Sequence, residues 1–204
     1  MTALSTTSHP ATSAARRRVL DAAVDAFAEK GFGGTGTRDI TERAGRSPAA
    51  LYVHYESKEA LLHEASLLGH RGALDCLNRA YAASDDPAER LQVMVHDFSQ
   101  WHLDNAKLAR VVQYELHALS PAHRAEVVAL RRTFQQLMVT ALEAGVSAGR
   151  FDVPDVPGTA RALLSLCIDL VRWFDPAISR DPKKVARLNA DLARRMVQTK
   201  GAGR

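Results

Sequence analysis

Much that usually directs a reading is scarce in this 204-residue chain. It holds two cysteines, Cys76 and Cys167, far apart and each set in a helical pattern. A disulfide framework is therefore not expected, and both read as reduced core residues of a cytoplasmic protein. Aromatic residues make up only 6% and β-branched runs are rare, while Ala and Leu are abundant. That balance favours an all-α fold. No stretch approaches the ~20 apolar residues that cross a bilayer, so no membrane partner is expected. The N-terminal residues lack the apolar segment of a secretion signal. Eight histidines are present, His63 and His70 among them, but there is no His-Glu-x-x-His and no Cys-x-x-Cys. Neither a metal site nor a cofactor is expected. No nucleophile elbow or paired-carboxylate constellation stands out, so catalysis is not expected either.

What is present is an ordinary globular composition, 46% hydrophobic and 25% charged, with a formal charge of +4 and a pI near 9.3. The mild basicity is compatible with an anionic partner. Residues 1–13 are small and polar with one proline and read as a disordered arm, followed by Arg16, Arg17 and Arg18. Leu20, Ala23, Val24, Phe27 and Ala28 form the stripe of a first helix that Gly31 ends. Phe32 is expected to plug a small core, and the Gly-Gly-Thr-Gly run at 33–36 reads as a short flexible loop. Later helices are announced by capping residues: Ser57, Asp86-Pro87 and Ser120-Pro121. They predict helices over about 58–82, 86–104 and 120–148, with another helical segment over 105–119.

The most informative stretch is 37–58. Thr37 reads as an N-cap, with Asp39 in the first turn of a short helix carrying Ile40 and Ala44 on one face. Gly45 permits a reversal, and Ser47-Pro48 starts a second helix. Leu51 and Tyr55 face inward, which turns Ala49, Ala50, Tyr52, Val53 and His54 outward. Small and flat side chains suit entry into a DNA major groove, where methyl groups meet thymine methyls. On spacing alone, a helical corner inside some other all-α protein fits equally well.

The residues settle this by resemblance. Val19–Phe32, Thr37–Gly45 and Ala50–Leu62 resemble, in order, the N-terminal DNA-binding domain of the TetR (tetracycline repressor) family. The resemblance implies a three-helix helix-turn-helix domain over 14–60 and a helical effector-binding and dimerisation domain over 61–200. It implies that Tyr52, His54 and Lys58 contact phosphates of a double-stranded operator, with Thr37 and Arg38. Ser47, Pro48, Ala49, Ala50 and Val53 would then face base edges. Arg46 stands where many members carry an apolar residue, and a phosphate or a guanine contact is open to it.

Two further segments bear on assembly. Ala162 to Phe174 is apolar around nearly the whole helix, which demands burial on all sides. Val185, Leu188, Leu192 and Met196 form a narrow seam on the last helix. Two such helices from each of two copies would make an isologous four-helix interface, the family's usual dimer, and a near-palindromic operator follows. Between residues 60 and 180, Phe98, Trp101, Tyr114, Phe134, Met138 and Trp173 offer apolar lining for an effector, with His102, Gln113, His117 and Arg172 as polar orienters. The family resemblance implies an inducer cavity there. A weaker similarity, at 143–151 and Trp173-Phe174-Asp175-Pro176, to actinobacterial regulators of lipid and steroid catabolism implies an acyl-CoA or other lipid-like molecule. A metal-responsive or ligand-independent DNA-binding regulator is the alternative.

Overall fold

The computed structural model describes residues 10–174 and 181–198, with the side chains of 10–13 and of Ala50 excepted. Every regular element in that range is helical. The helices are α1 (Pro10–Gly34), α2 (Thr37–Arg43), α3 (Pro48–Tyr52), α4 (Lys58–Tyr81), α5 (Pro87–Asp104) and α6 (Ala106–Tyr114). After a 3₁₀ turn at Leu116–Ala118 come α7 (Pro121–Ser147), α8 (Val156–Ile168), α9 (Leu170–Trp173) and α10 (Pro182–Val197). α1 begins at Pro10, inside the segment expected to be a disordered arm. Residues 1–9 lie outside the described range.

Local chemistry sets most of these boundaries. The Ser57 hydroxyl accepts the Ala60 N–H at 3.0 Å. The Asp86 carboxylate accepts those of Ala88 and Glu89 at 2.9 and 3.0 Å. Ser120, Asp155 and Asp181 cap α7, α8 and α10 in the same way, each with proline in the first turn that follows. Such caps supply partners to amides that a helix start otherwise leaves open.

The helices bury two main cores that share one element. The first gathers Leu20, Ala23, Phe27, Ile40, Leu51 and Tyr55 around Leu61, Leu62 and Ala65 of α4. The second gathers Phe98, Phe134, Met138, Leu142 and Leu163 around Ala73, Leu77 and Ala80 of the same helix. α4 is thus a spine that runs from one core into the other. The first core also takes in Val111, Leu119 and Val127, so it is closed from the C-terminal side of the chain.

Three expectations are corrected. The 33–36 run is not a free loop: Gly33 and Gly34 close α1 beyond a kink at Gly31, and the buried Thr35 hydroxyl faces the carbonyls of Ala26 (3.1 Å) and Gly31 (2.7 Å) as donor. Thr37 is the first residue of α2, not its cap. The cap is Gly36, whose N–H goes to the Asp39 carboxylate at 2.8 Å. Finally, the apolar 158–174 segment is two helices that break at Asp169, and it is not buried all round. Ala162 and Ser165 are exposed.

The last helix divides by size. Ala186, Asn189, Ala190 and Ala193 face inward against α5, where short side chains let the two backbones approach. Of the expected seam, Val185 is buried, whereas Leu188 and Met196 remain 51% and 48% exposed. With Leu192 they form an outward apolar row one turn apart.

A candidate nucleic-acid interface and an interior cavity

In the helix-turn-helix unit, the Ala44–Ser47 turn reverses the chain through Gly45, whose φ of 63° lies in the left-handed region. The Arg46 N–H closes the turn on the Thr41 carbonyl at 2.8 Å. Ile40 and Leu51 are completely buried, and the Tyr55 ring is nearly so. Burial pushes the Tyr55 hydroxyl up to about 12, and it donates to Glu64 at 3.1 Å. These anchors leave Tyr52 at 56% and Val53 at 76% exposure, with Ser47, Pro48 and Ala49 exposed and His54 half-buried. The Ala50 side chain lies outside the described residues.

The charges around this face are not equivalent. Arg43 forms a two-pronged bond with Glu29, which holds that carboxyl below its ordinary value. Lys30 pairs with Asp39, and Arg16 pairs with Glu64 while lying over the Tyr55 ring. Arg17 pairs with Asp21. Arg38 reaches only a loose 3.5 Å pair with Glu42, and its side chain is 86% exposed. Arg46 is exposed at the head of α3. Arg38 and Arg46 are therefore cations available to an approaching polyanion.

Lys58 departs from expectation. Its ammonium donates to the carbonyls of Phe32 (2.6 Å) and Thr35 (2.7 Å) and sits 4.1 Å from the centre of the Phe32 ring. It ties the first turn of α4 to the turn between α1 and α2. At most one of its three N–H groups is left for a phosphate.

The effector residues expected from the sequence do not form one site. Trp101, His102, Gln113 and Phe134 line a partly open cavity of about 150 Å³ between α4, α5, α6, α7 and α8. Phe98 and Met138 are instead fully buried core, with the Phe98 ring against His102 and Phe134. Tyr114 and Trp173 border a separate, open groove of about 520 Å³ along α8 and α9, with Asn189 of α10 at its edge. Gln113 and Ile168 border both spaces. His117 is exposed beside the Tyr114 carbonyl, and Arg172 is exposed and paired with Asp169.

Two polar cavity residues were not among the expected effector contacts: His70 and Arg131. Arg131 Nε donates to His70 Nε2 at 3.0 Å, and its Nη2 donates to Val112 O and Gln113 Oε1, both at 3.1 Å. His70 Nδ1 in turn donates to the Ser66 carbonyl at 2.8 Å, which assigns its tautomer. His102 Nδ1 donates to Phe98 O at 2.7 Å. Burial lowers both histidines to about 4, so both are neutral bases near pH 7. His63 stacks on His123 with ring centres 3.7 Å apart, and each meets a glutamate, Glu126 and Glu59. No helix among the described residues is long and apolar enough to cross a membrane.

Comparison with known proteins places these features. Residues 19–65 match the model described as bacterial regulatory proteins, tetR family, and residues 84–197 match that of the tetracyclin repressor-like C-terminal domain. The HTH-type transcriptional repressor KstR2 of Rhodococcus jostii is 32% identical over 181 residues, covering 84% of this chain and 85% of that protein. A tetR-family regulatory protein of known structure from Rhodococcus RHA1 superposes with a TM-score of 0.86 at 40% identity, covering 90% of this chain and 97% of that one. AibR, solved with isovaleryl coenzyme A and operator DNA, shares the fold, with a TM-score of 0.79 at 19% identity over 87% of this chain and 97% of its own. One domain model spans more than half of the chain and a relative above 30% identity follows it along most of its length, so this chain belongs to the TetR family of transcriptional regulators, a class of DNA-binding proteins and not of enzymes.

Proposed function

We propose that the chain is a ligand-responsive repressor that binds a near-palindromic operator as a homodimer and is released by a small effector with an apolar body. The observation that carries the DNA reading is the α3 face: exposed Ala49, Tyr52 and Val53, headed by Arg46 and flanked by Arg38. Methyl and aromatic groups backed by mobile cations suit a major groove better than a protein–water surface. Tyr52, His54 and Arg38 are assigned to phosphates. Ser47, Pro48, Ala49, Ala50, Val53 and Arg46 are assigned to base edges.

The dimer reading is supported by Leu188, Leu192 and Met196, a one-sided apolar row that the described residues leave exposed or half-exposed, and by the half-exposed Trp173. The KstR2 relatives are named as repressors, which favours repression over activation. The lipid-like reading of the effector draws on the isovaleryl coenzyme A complex of AibR.

Coupling follows from α4. Gly69, His70 and Ala73 of this helix line the cavity, while its first residue, Lys58, ties the helix-turn-helix. A ligand that favours a displaced α4 moves the recognition helices away from operator spacing, a population shift set by its differential affinity. The test has two parts. Duplexes selected from a random library should converge on an inverted repeat, with binding that falls steeply with salt. Thermal melting against fatty acids, acyl-CoA thioesters and steroids should then yield a class that raises the melting point and releases that duplex. Convergence on no sequence would sink the operator reading. Convergence without any stabilising small molecule would favour the ligand-independent regulator.

A further inference from the structure

The cavity holds an unbalanced charge. Arg131 is half-buried, and no carboxylate lies within ion-pairing distance among the described residues. None of the residues lining the cavity is acidic. Its bonding partners are all neutral: the tautomerically assigned His70, a main-chain carbonyl and an amide oxygen. Three of the five guanidinium N–H groups are used in these bonds, which leaves the Nη1 pair. Burial lowers the Arg131 guanidinium from its ordinary value, in keeping with a cation that lacks its counter-charge. A bridge between α4, α6 and α7 needs donors but no charge, and a charge held there carries a desolvation penalty that an uncharged donor would not. The half-buried Arg90 and Glu59 each meet an opposite or protonatable partner, Asp85 and His123. Arg131, like the half-buried Lys58, meets only neutral acceptors, but Arg131 also lines a cavity.

We propose that Arg131 is an anion anchor and that the molecule taken into this cavity is a small free carboxylic acid with a single-ring or short branched apolar body. The proposal rests on the ligand-responsive reading above and narrows its ligand class. The carboxylate seats on Arg131, and the apolar part lies against Phe134, Trp101, Leu164 and Ile168. Volume bounds the body: about 150 Å³ is room for a single ring such as benzene. An acyl-CoA thioester of the same acid offers a neutral carbonyl where the acid offers a charge, and so forgoes the pairing.

The experiment is calorimetric titration of the full-length protein with benzoate and cyclohexanecarboxylate, their primary amides, and benzoyl-CoA. Each ligand is run against wild type, Arg131→Gln and Arg131→Lys. Circular dichroism and melting verify that each variant is folded. The acids should bind wild type more tightly than the isosteric amides. Arg131→Gln should lose about tenfold to a hundredfold in acid affinity, the range for a charge-assisted hydrogen bond, and leave amide affinity unchanged. Arg131→Lys, which keeps the charge and gives up the fork, should keep most of the preference for acids. Amides that bind as well as acids, or acid binding indifferent to Arg131→Gln, would overturn the anchor. Thioester binding without acid binding would overturn it too, while leaving the ligand-responsive reading intact. Failure of all three probe classes refutes the small-acid assignment, and the wider effector panel then decides the regulatory reading separately.

Discussion

Lys58 offers the sharpest test of how this chain is held together. Family resemblance makes it a phosphate contact, equivalent to Arg38, yet the structure gives the two residues different work. Lys58→Met removes two hydrogen bonds to the carbonyls of Phe32 and Thr35 and a cation over the Phe32 ring. Each charge-assisted bond is worth about 1.5–3 kcal/mol where burial is substantial. Lys58 is only half-buried. Water can re-enter to solvate the carbonyls, and the two bonds share one ammonium, so their sum is discounted. About 2–4 kcal/mol of lost stability is expected, a fall of about 5–10 °C in melting temperature for a chain of this length. Arg38→Ala breaks a loose, exposed pair with Glu42. It should leave the melt within about 0.5 kcal/mol of wild type. Salt titration of operator binding completes the comparison: Arg38→Ala should lower the slope of log K against log salt by about one. Lys58→Met should instead weaken binding largely in proportion to lost folding of the helix-turn-helix. A Lys58→Met protein that melts like wild type, with its salt slope reduced by one, would refute the clamp and restore the simple phosphate contact.

Gly145 on α7 faces the Phe151 ring, and an added Cβ would stand 2.0 Å from a ring carbon. Gly145→Ala should therefore destabilise by about 1–3 kcal/mol or more in urea unfolding, since the buried Phe151 must move. The neutral His70 and His102, each lowered to about 4 by burial, bind protons only in the unfolded chain between pH 6.5 and 4. Their contribution is intact above pH 6.5 and is lost as pH falls towards 4, by up to about 3 kcal/mol for each. His102→Gln should flatten that decline between pH 7 and pH 5, and an unchanged pH profile would show that this histidine is not held neutral. Leu188→Glu places a charge in the outward row of α10, where Leu188 is half exposed. It should yield a folded monomer in sedimentation equilibrium, with operator affinity lost and the melt little altered at high protein dilution.

The parts of this protein legible in its sequence are those decided within one or two helical turns. Asp86-Pro87 and Ser120-Pro121 start helices because the side chain and ring meet amides only two or three residues away. Gly45 and the Leu51/Tyr55 spacing announce the helix-turn-helix for the same reason: a reversal and an inward face are local facts. The composition, apolar and poor in β-branched runs, was enough for an all-helical fold.

What the tertiary structure decided concerns pairs distant in sequence. Lys58 reads as a free basic residue until the carbonyls of Phe32 and Thr35 arrive beside it from α1 and its following turn. Arg131 reads as one of several surface arginines in a long helix, and only the approach of His70 and Gln113 makes it the charged wall of a cavity. Phe98 and Met138 have the composition of cavity lining but lie in the closed core, because apolarity alone does not say which faces meet and which leave a gap. On α10 the periodic seam was visible. That its alanines turn inward and Leu188 and Met196 outward depends on how closely α5 approaches. Helical periodicity gives each residue a direction around its own axis. Only the packing of other helices determines whether that direction ends in core, cavity or solvent.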